Sequence, residues 1–321
     1  MLSAVKEKGF DMAKPIEIAQ VTYAAPDLSL MQQFMTDFGL VCVEKTDEVL
    51  YMRGSGEQHH IHVTHKAEKQ CFIGASIEVS SLEDLKALAK LEGSSAVNES
   101  TEPGGGFEVT MYMPDGFEIK AIWGRKKHDD VTERKAFDFN HAHAKPRCNE
   151  SIRVKCKPAQ AIKLGHFVLH VSNHDESVRW LEERFDLLHS DYFAPPGEEG
   201  PIVGTFLRFN HENKQVDHHA ILILQSDWVG VHHCSFEVID LDAVMTSHDY
   251  LLSKGYQLDC GVGRHMLGSQ IFDYWKDPFG FRVEHYTDGD MLDQHAEPTV
   301  FNGTATETTQ WGMAPTLEFF Q

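Results

Sequence analysis

The chain lacks the cysteine pairs that zinc fingers and disulfide frameworks require. Its six cysteines stand at 42, 71, 148, 156, 234 and 260, and no two form a C-x-x-C pair. Scattered thiols of this kind fit a reducing compartment. Long apolar runs are missing as well: no segment approaches the ~18 uninterrupted apolar residues of a membrane span. The opening stretch, MLSAVKEKGF, holds two lysines and no apolar run, so it does not read as a secretory signal. These absences point to a cytoplasmic protein with no membrane partner. Basic residues are also scarce, with 29 Lys and Arg against 49 Asp and Glu, a formal charge of −20. Nucleic-acid binding leans on a basic surface that neutralises phosphates, so this balance argues against nucleic acid as a partner. The one basic stretch, RKKHDD from Arg125, runs straight into aspartates and reads as a solvated linker.

What the chain does have is histidine, 20 in 321 residues, and an internal repeat. That length is enough for two domains. IEIAQVTYAAPDLSLMQQFMTDFGL from Ile16 matches IKLGHFVLHVSNHDESVRWLEERFDLL from Ile162. Each reads as an alternating strand, a polar break, an amphipathic helix and F-[GD]-L. Asp27 and Ser29 suit the first helix start; Ser172, Asn173 and Asp175 suit the second. FIGASIEVSSLEDLKALAKL from Phe72 matches VHHCSFEVIDLDAVMTSHDYLL from Val231. MPDGFEIKAIWG from Met113 matches KDPFGFRVEHYTDG from Lys276. A weaker pair is YMR…HHIHV from Tyr51 and FLR…HHAIL from Phe206. The expected fold is α+β, two tandem domains of two βαβββ modules each. The pattern predicts a first domain over 1–124, a linker over 125–160, a second domain over 161–290 and a tail over 291–321. In the tail, Trp311, Phe319 and Phe320 could pack back on the body.

The repeat serves as an internal control. Aligning I-A-Q with L-G-H sets Gln20 against His166. Aligning the strands that end in E-V sets Gly74 against His233, and aligning the G-F strands sets Lys120 against Glu284. The second half therefore has His, His and Glu where the first has Gln, Gly and Lys. Two imidazoles and a carboxylate leave about half of an octahedral shell open, the ligand set of non-haem Fe(II) oxygenases. Strand alternation puts Glu284 on a face with Arg282 and Tyr286, and turns His232 and His285 the other way as structural residues. Any one of His166, His233 and Glu284 alone would more often be structural. The metal reading rests on all three falling at matched positions.

At these residues the sequence resembles the type I extradiol dioxygenases of the vicinal oxygen chelate superfamily, over residues 16–290. The motifs are L-G-H at Leu164–His166, H-C-S-F-E-V at His233–Val238, G-R-H at Gly263–His265, and F-D-Y-W-K-D-P-F-G-F-R-V-E at Phe272–Glu284. The resemblance implies a glyoxalase-like fold and Fe(II), or alternatively Mn(II), on His166, His233 and Glu284. It also implies a homo-oligomer whose partners are a catechol-type substrate and O₂. It assigns substrate-side roles to His219, His265 and Tyr274, with His218 competing with His219 by one register step. His265 and Tyr274 would hydrogen-bond a substrate oxygen, and His219 would serve as acid–base during O–O cleavage. The D-P-F-G turn at Asp277–Gly280 is a hairpin signal that brings Tyr274 roughly opposite Glu284. The reaction so implied opens the ring beside the diol and gives a muconic semialdehyde-type product. Two alternatives remain open: a 4-hydroxyphenylpyruvate-type dioxygenase of the same fold, and a non-enzymatic small-molecule-binding protein. Arg208 and Arg264 could balance charge near the site or lie on the surface.

Overall fold

Apolar alternation followed by a capped helix is the local rule that builds this chain, and it is applied four times. The computed structural model describes residues 12–197 and 200–320. The stretch read for a secretory signal and the Phe320 side chain therefore lie outside what is described. The first unit is β1 (Pro15–Ala25), α1 (Leu28–Phe38), β2 (Val41–Lys45), β3 (Val49–Arg53) and β4 (His62–Lys66). The second is β5 (Cys71–Val79), α2 (Leu82–Leu88), β6 (Asn98–Glu99), β7 (Phe107–Tyr112) and β8 (Glu118–Trp123). Residues 124–160 carry no helix or strand. The third unit is β9 (Ala161–Val171), α3 (His174–Glu182), β10 (Leu187–Phe193), β11 (Gly204–Phe209), the two-residue β12 (Val216–Asp217) and β13 (Ile221–Gln225). The fourth is β14 (Gly230–Val238), α4 (Leu241–Ser253), β15 (Gln257–His265), β16 (Ile271–Lys276) and β17 (Arg282–Thr287).

Side-chain caps set the helix starts. Asp27 accepts from the amides of Ser29 and Leu30, and Asn173 from that of Glu176. Asp240 accepts from the amide of Ala243 while also gripping Arg134 of the connecting stretch. Each bond satisfies an amide that a helix end would otherwise leave unbonded.

The two sheets repeat one topology. The first runs β2-β3-β4-β1-β5-β8-β7-β6. The second runs β10-β11-β13-β9-β14-β17-β16-β15, the same order unit for unit. Its two edges are extended by β19 (Thr299–Phe301) and β20 (Thr309–Gly312) from the tail, while β18 (Met291–Leu292) pairs with β12. One apolar core spans both halves. The Phe38 ring of α1 stacks on His285 at 3.7 Å and meets Phe236 at 5.8 Å. Tyr23 on β1 donates to the Cys234 sulfur on β14 at 2.9 Å. His285 is thus a structural residue, its Nε2 2.6 Å from the Phe38 carbonyl oxygen. The first half thus packs behind the strands that carry the polar residues of the second.

Candidate active site

Three central strands of the second sheet bring the matched residues together. His166 on β9 and Glu284 on β17 both pair with Ser235 of β14, and His233 lies two residues before Ser235. Their side chains therefore meet over one strand. The donor atoms form a small triangle: His166 Nε2 is 3.0 Å from Glu284 Oε2, His233 Nε2 is 3.3 Å from it, and the two Nε2 atoms are 3.2 Å apart. A first-row metal bonds N and O at about 2.1 Å, so right-angled donors stand about 3.0 Å apart. The triangle has the size of one face of such an octahedron. Among the described residues, this is the one group of His, Cys, Asp or Glu whose spacing could hold a metal ion.

The electrostatics ask for a cation. Glu284 is fully buried, yet neither of its oxygens completes a hydrogen bond. Leaving a buried carboxylate uncompensated is expensive. Burial alone would raise its pKa, but the facing His166, His233 and His265 hold it well below the usual carboxylate range. Burial drives His233 down to about 4, so its ring is neutral and able to ligate near pH 7. Gly165 makes room for this arrangement, since a Cβ there would fall 2.1 Å from the Tyr286 hydroxyl, whose ring packs 5.4 Å from that of His166.

A cavity opens beside the triangle, lined in part by His166, His233, His219, His265 and Tyr274. Tyr274 on β16 is the direct partner of Glu284 on β17, as the D-P-F-G turn implied. Its hydroxyl lies 2.8 Å from His265 Nε2, at the end of β15. Burial, reinforced by Glu284, pushes the Tyr274 pKa well up, so the phenol stays protonated. His219 stands across the cavity in the turn before β13, its ring 4.1 Å from that of His166. Burial and then His166 push its pKa well below the usual value.

His218 faces away from the cavity. Its Nε2 is 2.8 Å from Asp191, and its Nδ1 is 3.1 Å from Nδ1 of His219. Asp191 also accepts from the Thr299 amide and hydroxyl, so a tail residue steadies this chain of rings. Asp191 carried no motif that would have singled it out. His232 differs from the alternation rule. A register shift between Val231 and His233 breaks the period, leaving His232 beside the cavity with Nδ1 2.6 Å from His233 Nδ1. From the tail, Phe319 packs on Tyr274 and His232, both at 4.9 Å. Arg208 and Arg264 do not reach the cavity. Arg208 donates to the carbonyls of His189, Asp293 and Ala296, and Arg264 to Ser269 and Asp288.

Fold and site together define a two-half, glyoxalase-like protein with one metal-competent half. Residues 163–285 match the family model of the Glyoxalase/Bleomycin resistance protein/Dioxygenase superfamily. Metapyrocatechase 2 of Cupriavidus necator is 24% identical over 291 residues, covering 89% of this chain and 86% of that one. An iron-dependent extradiol dioxygenase of Rhodococcus jostii (strain RHA1) is 28% identical over 138 residues, 41% of this chain and 45% of that one. In fold, the chain is similar to homoprotocatechuate 2,3-dioxygenase from Brevibacterium fuscum, solved with 3,4-dihydroxyphenylacetate. That TM-score is 0.80 at 17% identity, covering 98% of this chain and 94% of the other. It is also similar to the Mn(II)-bound glyoxalase from Novosphingobium aromaticivorans, with TM-score 0.78 at 22% identity, covering 96% and 94%. The family match thus falls on the half that carries His166, His233 and Glu284, and the solved structures share the fold of both halves. Among the described residues no helix is long and apolar enough to cross a membrane.

Proposed function

We propose that the chain is an Fe(II)-dependent extradiol dioxygenase that inserts both atoms of O₂ beside the diol of a catechol-type aromatic. The product is then a muconic semialdehyde. One observation carries the reading: three buried His, His and Glu donors converge at octahedral-face spacing next to a cavity walled by His219, His265 and Tyr274. In this reading the span 161–290 holds the metal on His166, His233 and Glu284, and the span 1–124 holds none. The R. jostii relative's name favours iron, while Mn(II) suits the same donors. Six free thiols fit a cytoplasmic setting, and a homo-oligomer follows by analogy with the family.

When bound, the metal supplies Lewis acidity to the diol oxygens and a path for electrons from diol to O₂. The chain's own residues do the rest. Tyr274, kept protonated by burial, donates to a substrate oxygen, and its partner His265 orients it. His219, kept neutral, accepts a proton on one side of the substrate and returns it as the ring opens. His218 and Asp191 hold the His219 ring in place. The test is anaerobic Fe(II) loading, then O₂ and a panel of catechols followed for yellow ring-fission product. Turnover of at least one catechol is expected; a protein that takes up neither Fe(II) nor Mn(II) contradicts the reading.

A further inference from the structure

The cavity has a direction. From His166 a run of rings leads away from the candidate metal centre. His166 meets His219 at 4.1 Å between centroids, His219 meets Phe206 at 4.9 Å, Phe206 meets Phe193 at 5.0 Å, and Phe193 meets Phe301 at 5.9 Å. Val168, Leu222 and Leu224 line the same cavity. Val168 comes from the strand of His166, and the two leucines from the strand that follows His219. The apolar wall is thus built on the same rigid strands as the polar end.

The cavity also lacks a cation. Among the described residues no lysine or arginine lines it. The strands around it do carry arginines, but each is committed elsewhere. Arg208 is spent on the carbonyls named above and on the Ser190 hydroxyl, and Arg264 on Ser269 and Asp288. Arg282 pairs with Asp259 and lies under the Phe319 ring, 4.1 Å from its centroid. A substrate carboxylate entering this space would lose its water and meet no counter-charge. At longer range, a chain of formal charge −20 repels anions.

We propose that the preferred substrate is a catechol whose ring bears an uncharged apolar substituent, alkyl or aryl, seated along the Phe206–Phe193–Phe301 wall. Carboxylated catechols are correspondingly poor substrates. The inference rests on the extradiol reading for the diol end of the ligand, while the wall specifies the other end.

The test compares 4-ethylcatechol with 3,4-dihydroxyphenylacetate on the full, Fe(II)-loaded chain. Dissociation constants are measured by calorimetry without O₂, and kcat/KM is then measured with it. Binding of 4-ethylcatechol about 100-fold tighter, with a matching advantage in kcat/KM, is expected. Equal or tighter binding of 3,4-dihydroxyphenylacetate overturns the inference, and so does failure of both to bind. A chain that binds 4-ethylcatechol with this preference but opens neither ring keeps the inference and sinks the ring-cleavage reading. A variant supplies the missing cation. Leu267→Arg, at a half-buried loop position on the cavity, should shift the ratio of the two dissociation constants about tenfold toward the acid. An unshifted ratio in a variant with an unchanged circular-dichroism spectrum overturns the inference as well.

Discussion

The two halves share strand order and register but compensate their buried charge in opposite ways. In the first half, Gln20 and Lys120 both pair with Ser76, just as His166 and Glu284 both pair with Ser235 in the second. Gly74 lies two residues before Ser76, as His233 does before Ser235. In the first half a carboxylate enters from the loop between β6 and β7. Glu102 takes Gln20 at 3.1 Å, His60 at 3.2 Å, Arg125 at 2.8 Å and Lys120 at 3.5 Å. That carboxylate is neutralised by the protein's own cations. Glu284 faces the imidazoles of His166, His233 and His265 and the Tyr274 phenol, with no lysine or arginine paired to it. The difference teaches that a buried carboxylate at this position needs compensation, and that the first half supplies it from its own cations while the second half offers a donor set of metal-binding spacing.

Each of four substitutions would break or sharpen that contrast. The largest effect is expected from His219→Asn, which should lower kcat about 1,000-fold while Fe(II) binding is retained. Steady-state kinetics with a metal assay check it; loss of metal would make His219 a ligand and redraw the centre. Next is Gly74→His, which gives the first half the histidine of the second. A Cβ there would sit 1.8 Å from the Glu118 carbonyl oxygen, so a loss of roughly 3 kcal/mol in urea unfolding is expected, and no gained metal site.

Glu102→Gln should cost about 2 kcal/mol at pH 7. Burial raises the Glu102 pKa, but His60, Arg125 and Lys120 outweigh that and bring it from an ordinary 4.5 to about 2. A depressed carboxyl stabilises the fold fully above pH 4.5 and loses that contribution as pH falls through about 2. The gap between parent and variant should therefore close over that window in a pH series of unfolding curves. Tyr274→Phe is the mildest, with kcat/KM down about tenfold and metal content unchanged.

Much of this was legible in the residues because the chain states its pattern twice. The L-G-H and H-C-S-F-E-V strands align with silent counterparts, and sheet pairing converts that alignment into side chains over one serine. The Tyr274–Glu284 pairing followed from a two-strand turn at Asp277–Gly280, a local signal. His218 against His219 was not legible. Both precede β13 in a turn, where strand alternation says nothing, and the distant Asp191 decides which one turns away. The direction of His232 differs from the alternation because a bulge adds one residue without disturbing the apolar pattern, while its Nε2, 2.7 Å from the Phe319 carbonyl oxygen, keeps it a structural residue. The apolar wall carries no local signal either: Phe193, Phe206 and Phe301 come from three separated strands, and the last of these is three residues long.

The most direct test is metal stoichiometry: anaerobic equilibration with Fe(II), removal of excess, and metal measured per chain for the parent and Glu284→Ala. The account predicts one Fe(II) per parent chain and essentially none in the variant. Two per parent chain, or one retained by Glu284→Ala, would contradict it.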